Sequence, residues 1–167
     1  RQMKKFLTFI CLCLVIVVSP LADDSNAYEL PPPNIPHTQK DVECLARNIY
    51  FESRGEGEKG MKSVAYTTLN RVKHNRFPAS VCGVVKAKKK GTCQFSWVCS
   101  SEKKIHNREK YEEILALAIH ILYTYSPDRD PTKGATHFHS VSVSPKWDFS
   151  KMRRTAKVGR HVFYREL

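Results

Sequence analysis

The stretch NIYFESRGEGEKG, residues 48–60, places Glu52 after an apolar helical face and then supplies several glycines. The residues before Glu52 keep the three–four spacing of one buried helix face, at Val42, Leu45, Ala46 and Ile49. Glu52 falls one turn after the last of these, and Gly55 and Gly57 end the helix. The pattern therefore predicts a helix whose carboxyl end holds an acid at the border of the apolar stripe.

Outward from this stretch, the same spacing predicts further helices. The first helix begins after Thr38, because Thr38 and Asp41 have the spacing of a capping box. A second helix spans about residues 58–75 and a third about residues 108–125. A short apolar piece, residues 79–85, precedes a lysine-rich loop. The central part of the chain is therefore predicted to be helical.

The carboxyl-terminal part has strand character instead. Residues 136–143, THFHSVSV, alternate with a period of two, and residues 157–166 form another short extended stretch. Residues 28–37 are rich in proline and indicate an extended linker. We expect one mainly α domain of the α+β class, residues 38–167, with a small extended element near its carboxyl end.

The amino-terminal residues have the pattern of a secretory signal peptide. Lys4 and Lys5 precede an uninterrupted apolar run over residues 6–18, which is short for a membrane-spanning helix. Small residues before position 28 place cleavage after Ala27, so residues 1–27 are predicted to be the signal peptide. The alternative is an uncleaved membrane anchor. With cleavage, we expect an exported protein, periplasmic or extracellular, without stable insertion in the membrane.

The composition is strongly basic. Lys and Arg number 28 against 16 Asp and Glu, a formal net charge of +12. Such a balance predicts attraction to polyanions: nucleic acid, an anionic membrane surface or an acidic cell-wall polymer. Charge alone does not choose among these partners, and a role in solubility is the alternative.

Four cysteines lie outside the apolar run, an even number that favours disulfides in an exported chain. They allow three pairings, of which we favour Cys82 with Cys93 and Cys44 with Cys99. The first would close the lysine-rich loop, and the second would join the first helix to the CQFSWVC segment. Zinc binding is the competing use, but the sequence has no Cys-x-x-Cys pair among them.

Glu52 is the first candidate for chemistry. Burial penalises a charged carboxylate, so an acid among apolar neighbours has a raised pKa and can donate a proton near neutral pH, as glycosidase acids do. The alternative is an ion pair with Arg47 or Arg54. Glu56 and Glu58 lie among glycines and are predicted to be solvated, but Glu56 is a possible second acid.

Two other segments carry candidate binding residues. In CQFSWVC, residues 93–99, Phe95 or Trp97 could stack on a sugar while Gln94 forms hydrogen bonds, and the alternative is a disulfide-bounded core segment. His137 and His139 lie on one face of a predicted strand. This spacing can bind a metal, but the sequence offers no clear third ligand, so a buried or surface histidine pair is the default.

Several linked motifs resemble one known family. CLARNIYFESRGEGEKGMKSVAYTTLNRV, FPASVCGVV, CQFSWVC, GATHFHS and VGRHVFYR, in this order over residues 44–165, are similar to bacterial cell-wall hydrolases related to spore-cortex lytic enzymes. The resemblance implies a fold like lysozyme and the lytic transglycosylases. It also implies cleavage of peptidoglycan glycan strands between N-acetylmuramic acid and N-acetylglucosamine. One departure is SVSVSPKW, residues 140–147, where a more aromatic tract is expected.

Within this resemblance, the family's Glu-x-x-Gly-Glu pattern assigns the catalytic acid to Glu52 and the second acid to Glu56. The resemblance also implies binding roles for the remaining motif residues, at Asn70, Gln94, Phe95, Ser96, Trp97 and His137. We expect the transglycosylase route, since no second acid stands out, and we expect no cofactor, no resident metal, no nucleic-acid partner and a monomer. The alternatives are a zinc-dependent amidase that uses the two histidines and a basic binding module without activity.

Overall fold

The computed structural model describes residues 32–167, so the predicted signal peptide and the first residues of the linker lie outside the described part. The described chain contains five α-helices and five short strands. The helices are α1 Gln39–Ser53, α2 Gly57–Val72, α3 Val81–Lys86, α4 Ser96–Cys99 and α5 Arg108–Thr124. The strands are β1 Lys88–Lys89, β2 Thr92–Cys93, β3 His137–Ser140, β4 Met152–Val158 and β5 His161–Glu166. The predicted mainly α domain with a small extended element is confirmed.

Helix α1 begins as its capping box predicts. The Thr38 hydroxyl accepts a hydrogen bond from the Asp41 backbone N–H at 3.2 Å, and the Asp41 carboxylate accepts one from the Thr38 N–H at 3.1 Å. The helix ends at Ser53, and α2 already begins at Gly57, whose φ of +68° favours glycine. Helix α2 ends at Val72, three residues before its predicted end.

The main core lies where α1, α2, α3 and α5 pack together. Its buried apolar side chains include Leu45, Ile49, Ala65, Leu69, Val84 and Ile114. Asp41 also fixes α3 against α1, because its carboxylate accepts a hydrogen bond of 2.8 Å from the Cys82 backbone N–H. Burial of these apolar faces is the main stabilising contribution to the helical part. No helix within residues 32–167 has the length and apolar character needed to cross a membrane.

The carboxyl-terminal strands form one antiparallel sheet of order β3-β5-β4. The predicted extended stretch at residues 157–166 is a hairpin of β4 and β5, which turns at Gly159 with a φ of +53°. Ala135, Val158 and Phe163 form a second small core beneath this sheet. The sheet places β3, with its two histidines, beside the helical part.

The predicted disulfide pairing is wrong. Cys44 is joined to Cys82, and Cys93 is joined to Cys99. The first disulfide forms because α3 lies against α1, which brings Cys82 beside the α1 backbone at Lys40. The second forms because α4 turns the chain back on itself within seven residues. The prediction that all four cysteines form disulfides is confirmed.

Candidate active site

Glu52 lies in the last turn of α1 and lines a cleft of about 260 Å³. The cleft walls come from three other parts of the fold. Helix α2 contributes Arg71, the segment that leads into α4 contributes residues 93–96, and the sheet region contributes Phe138 and Trp147. Side chains distant in sequence therefore meet around one carboxyl group.

The environment of Glu52 favours its protonated form. Burial raises the pKa of Glu52 from its ordinary value of 4.5 to about 7, and the charge of Arg71 opposes part of this rise. Within residues 32–167, the Glu52 carboxyl group has neither a hydrogen bond nor a salt bridge that would hold it ionised. The expected raised pKa is confirmed.

The alternative ion pairs of Glu52 do not form. The Arg47 guanidinium lies 5.5 Å from the centroid of the Phe51 ring and donates a hydrogen bond to the Lys103 carbonyl. Arg54 donates a hydrogen bond to the Tyr50 carbonyl and lies over the Tyr50 ring. Both arginines are therefore occupied elsewhere, and the cation that faces Glu52 is Arg71.

Arg71 is a buried cation, with 2% of its surface exposed. Its Nε donates a hydrogen bond of 2.5 Å to the Thr136 carbonyl, and its guanidinium lies 5.2 Å and 5.4 Å from the ring centroids of Phe95 and Phe77. Its Nη1 is buried without a hydrogen-bond partner in the described part of the chain. Burial lowers the pKa of Arg71 to about 10, so the group stays charged at neutral pH and keeps a free donor.

The segment of residues 93–99 contributes polar groups to the cleft. Gln94 and Ser96 are exposed and line it, as a binding role requires. Phe95 is only 3% exposed, and its ring contacts Phe138 and the Arg71 guanidinium. The Phe95 ring therefore offers little exposed surface to a sugar, which conflicts with the predicted stacking role. It supports the cleft from beneath.

Trp97 lies beside the cleft rather than in it. Its ring stacks on Phe51 with centroids 4.8 Å apart, and its Nε1 donates a hydrogen bond of 2.9 Å to the Asn48 side chain. Trp97 lines a neighbouring depression of about 460 Å³, together with Tyr50, Phe51 and side chains of residues 100–106. We call this depression the Trp97 hollow. Ser96 lines both the hollow and the cleft, so the two adjoin.

The Asn70 side chain is held by hydrogen bonds to other parts of the chain. Its side-chain amide donates hydrogen bonds to the Asp130 carboxylate and the Ala135 carbonyl, at 2.8 Å and 2.9 Å, and accepts one from the Tyr125 hydroxyl. Asn70 does not line the Glu52 cleft. These contacts conflict with the predicted binding role, since the amide is used to fix the loop before β3. Its neighbour Arg71 points into the cleft instead.

His137 and His139 share a face of β3, as predicted, and both contact the ring of Trp147. Burial, with smaller contributions from nearby cationic groups, lowers the pKa of His137 to about 4, so its ring is neutral at neutral pH. Within residues 32–167, no group of three or more His, Cys, Asp or Glu side chains is arranged to hold a metal ion. The histidines thus belong to an aromatic wall that also includes Tyr164.

Glu56 is not solvated, contrary to expectation. Only 5% of its side chain is exposed, and its carboxylate accepts hydrogen bonds from the Arg160 backbone N–H and Nε at 2.8 Å and 2.7 Å. These bonds lower its pKa and fix it against the β4–β5 turn. Glu56 does not line the cleft of Glu52. Its contacts favour a structural role over that of a second acid.

Three residues of the cleft were not among the predicted site residues: Arg71, Phe138 and Trp147. Arg71 follows Asn70 in one of the quoted motifs, and this adjacency is the signal that could have identified it. Phe138 lies between the two histidines in HFH. Trp147 ends the tract SVSVSPKW, which resembles the family least, so only the folded chain brings it to the cleft.

Comparison with known proteins agrees with this architecture. A family profile described as Cell Wall Hydrolase matches residues 55–164. A spore cortex-lytic enzyme of Bacillus cereus is 30% identical over 146 residues, which cover 83% of this chain and 52% of that protein. A spore cortex-lytic enzyme of Halalkalibacterium halodurans is 26% identical over 148 residues, which cover 87% of this chain and 41% of that protein. The chain thus spans about half the length of the curated relatives it matches, or less.

Solved structures give the same result. The catalytic domain of the germination-specific lytic transglycosylase SleB from Bacillus anthracis superposes with a TM-score of 0.61 and 28% identity. The alignment covers 80% of this chain and 100% of that domain. The catalytic domain of the Bacillus cereus SleB protein gives a TM-score of 0.60 and 27% identity, over 80% of this chain and 94% of that domain. The chain therefore belongs to the cell wall hydrolase family.

Proposed function

We propose that this chain cleaves the glycan strands of peptidoglycan between N-acetylmuramic acid and N-acetylglucosamine, as a lytic transglycosylase. The observation that carries the proposal is the Glu52 carboxyl group, half-buried in a cleft with a pKa raised to about 7. A group with this pKa is available both as an acid and as a base near neutral pH. The name lytic transglycosylase, which belongs to the Bacillus anthracis relative, supports the same reaction class.

In the first step, the protonated Glu52 donates its proton to the glycosidic oxygen as the bond from that oxygen to the muramic acid C1 breaks. Positive charge develops on the ring as an oxocarbenium-like state. Glu52 becomes a carboxylate beside the Arg71 guanidinium, which favours the ionised form that proton donation produces. The buried cation therefore assists the step without taking a proton itself.

In the second step, the Glu52 carboxylate accepts the proton of the muramic acid 6-hydroxyl while that oxygen attacks C1. The product is a 1,6-anhydro sugar, and Glu52 is again protonated. A single carboxyl group is sufficient for both steps. Among the described residues that line the cleft, Glu52 is the sole carboxylic acid, which supports this route over one that needs a second carboxylate.

The rest of the cleft suits a polar sugar. Gln94 and Ser96 offer side-chain hydrogen-bond donors and acceptors at its rim, and Arg71 Nη1 offers a buried donor without a partner in the described chain. Trp147 and Phe138 supply apolar ring surface to the same cleft. Sugars combine hydroxyl and acetamido groups with apolar ring faces, so both kinds of wall would contact one ring.

The amino-terminal pattern supports an exported enzyme. We propose that residues 1–27 are removed as a signal peptide, that residues 28–37 form a linker, and that residues 38–167 act on the cell wall as a monomeric catalytic domain. Amino-terminal sequencing of the protein recovered outside the cytoplasm tests the cleavage site. Sedimentation analysis of the purified domain tests the monomer.

Mass spectrometry of muropeptides released from purified sacculi tests the reaction. We expect products with 1,6-anhydro ends, none with the Glu52→Gln variant, and most of the activity with the matched Glu56→Gln variant. Products with free reducing ends would replace the transglycosylase route by hydrolysis. New amino groups whose release a chelator stops would indicate the zinc amidase, and binding without any cleavage would indicate a non-catalytic module.

A further inference from the structure

A second concave site lies on the amino-terminal half of α1, away from Glu52. This basic pocket of about 450 Å³ is lined by five cationic side chains and a single acid, Glu43. The cations come from three elements and one loop: Lys40, Arg47, Lys86, Lys88 and Lys103. Within residues 32–167, none of the four lysine ammonium groups forms a salt bridge. The pocket therefore presents positive charge that the described chain does not neutralise.

Two side chains that line the basic pocket, Arg47 and Trp97, are held in place. Arg47 donates a hydrogen bond of 2.6 Å to the Lys103 carbonyl, and its guanidinium lies 5.8 Å from the centroid of the Trp97 ring. Trp97 is itself fixed by its hydrogen bond to the buried Asn48. A fixed guanidinium and a fixed indole lose little conformational freedom on binding a ligand, which favours affinity.

The floor of the pocket is apolar. It consists of the Cys44 side chain, which is bonded to Cys82, together with Val98 and the Trp97 ring. A densely charged phosphate polymer would gain nothing from such a floor. A short peptide with small apolar side chains and free carboxylates would bury its apolar groups on the floor and place its carboxylates near the lysines.

The basic pocket and the Glu52 cleft both adjoin the Trp97 hollow. Trp97 lines both the pocket and the Trp97 hollow, and Ser96 lines both the hollow and the cleft. At a rise of about 1.5 Å per residue, Arg47 lies about 7.5 Å from Glu52 along the axis of α1. Lys40 lies about 18 Å from Glu52 along the same axis. A ligand in the pocket can therefore be a branch of the polymer whose strand occupies the cleft.

We propose that the basic pocket binds the carboxylate-bearing peptide branches of the glycan strand that Glu52 cleaves. This inference rests on the proposed function and adds to it a recognition site for the peptide part of the substrate. The site would act on KM, because it holds the substrate at a distance from the reacting bond. It would also favour strands that carry peptides over strands without them.

The test compares two substrates and two variants of the purified chain. The substrates are glycan strands with their peptides and the same strands after enzymatic removal of the peptides. The pocket variant is Lys86→Gln/Lys103→Gln, and the matched control, Lys59→Gln/Lys157→Gln, removes the same charge at exposed positions outside the pocket. We expect the pocket variant to raise KM about fivefold more on the peptide-bearing strands than on the peptide-free ones. The control should leave the KM ratio of the two substrates unchanged.

Each other outcome is informative. An equal change on both substrates would overturn the proposal and leave only a general effect of charge. Competition by a soluble phosphate polymer, without competition by the free peptide, would also overturn it and indicate a polyanion site. Failure of the parent protein to cleave either substrate would refute the proposed function itself, so the two failures are distinguishable.

Discussion

Replacement of Glu52 by glutamine is expected to abolish strand cleavage and to stabilise the fold above neutral pH. Glutamine keeps the size and polarity of the side chain but cannot donate or accept the catalytic proton. It also removes the cost of an ionised carboxylate in a half-buried position. A residue selected only for stability would not show this combination, so the pair of effects tests the assigned role.

The magnitude follows from the pKa of Glu52, raised from its ordinary 4.5 to about 7. Between these two values the unfolded chain has lost the proton and the folded chain still holds it, so stability falls as the pH rises. One pKa unit corresponds to about 1.4 kcal/mol, which gives a full loss of about 3 kcal/mol above pH 7. Between pH 5 and pH 8, the loss is about 2 to 3 kcal/mol. The Glu52→Gln variant lacks this loss.

Urea unfolding of both proteins at pH 5 and at pH 8, with disulfides intact, measures the effect. We expect the free energy of unfolding of Glu52→Gln, relative to the parent, to rise by about 2 to 3 kcal/mol between these pH values. Glu58→Gln is the matched control. Glu58 is exposed on α2, and its hydrogen bond to Lys62 lowers its pKa, so this variant should gain no stability at pH 8. If the free energy of unfolding of Glu52→Gln differs from that of the parent by the same amount at pH 5 and pH 8, the reasoning is refuted.

Three further results are expected. The pH profile of kcat/KM should fall above about pH 7, as Glu52 loses its proton, and Arg71→Gln should move this fall to higher pH because the Arg71 charge lowers the pKa of Glu52. Removal of the longer disulfide loop by Cys44→Ala/Cys82→Ala should cost about 4 kcal/mol in calorimetric unfolding, against about 2 kcal/mol for Cys93→Ala/Cys99→Ala. The Cys93→Ala/Cys99→Ala variant should nevertheless lose more activity in muropeptide release than the Cys44→Ala/Cys82→Ala variant, since its disulfide brackets the segment that lines the cleft. Equal losses of activity in the two variants would contradict this expectation. Binding to sacculi, measured by co-sedimentation, should weaken severalfold as ionic strength rises from about 0.1 M to about 1 M, because the Debye length falls from about 10 Å to about 3 Å; unchanged binding would exclude an electrostatic contribution.

Local sequence patterns were sufficient to predict the helix that carries Glu52. The capping box at Thr38 and the apolar stripe of α1 are governed by contacts within a few residues, so the position of Glu52 at the border of the stripe could be predicted. Its raised pKa was expected from the same border position, because burial is the largest cause of the shift, although the charge of Arg71 opposes part of it. Alternation with a period of two likewise predicted the strand that carries His137 and His139.

The chain alone thus determined an amphipathic first helix with a half-buried acid at its end, because helix caps and apolar periodicity act over one or two turns. Only the tertiary structure decided what surrounds that acid. Arg71 comes from α2 and Trp147 from the loop after β3, while the contacts of Asn70, Phe95 and Glu56 direct them to structural roles. The disulfide pairing also depended on the packing of α3 against α1. These outcomes depend on contacts between residues far apart in the chain, and the spacing of residues in a sequence does not record which distant surfaces will meet.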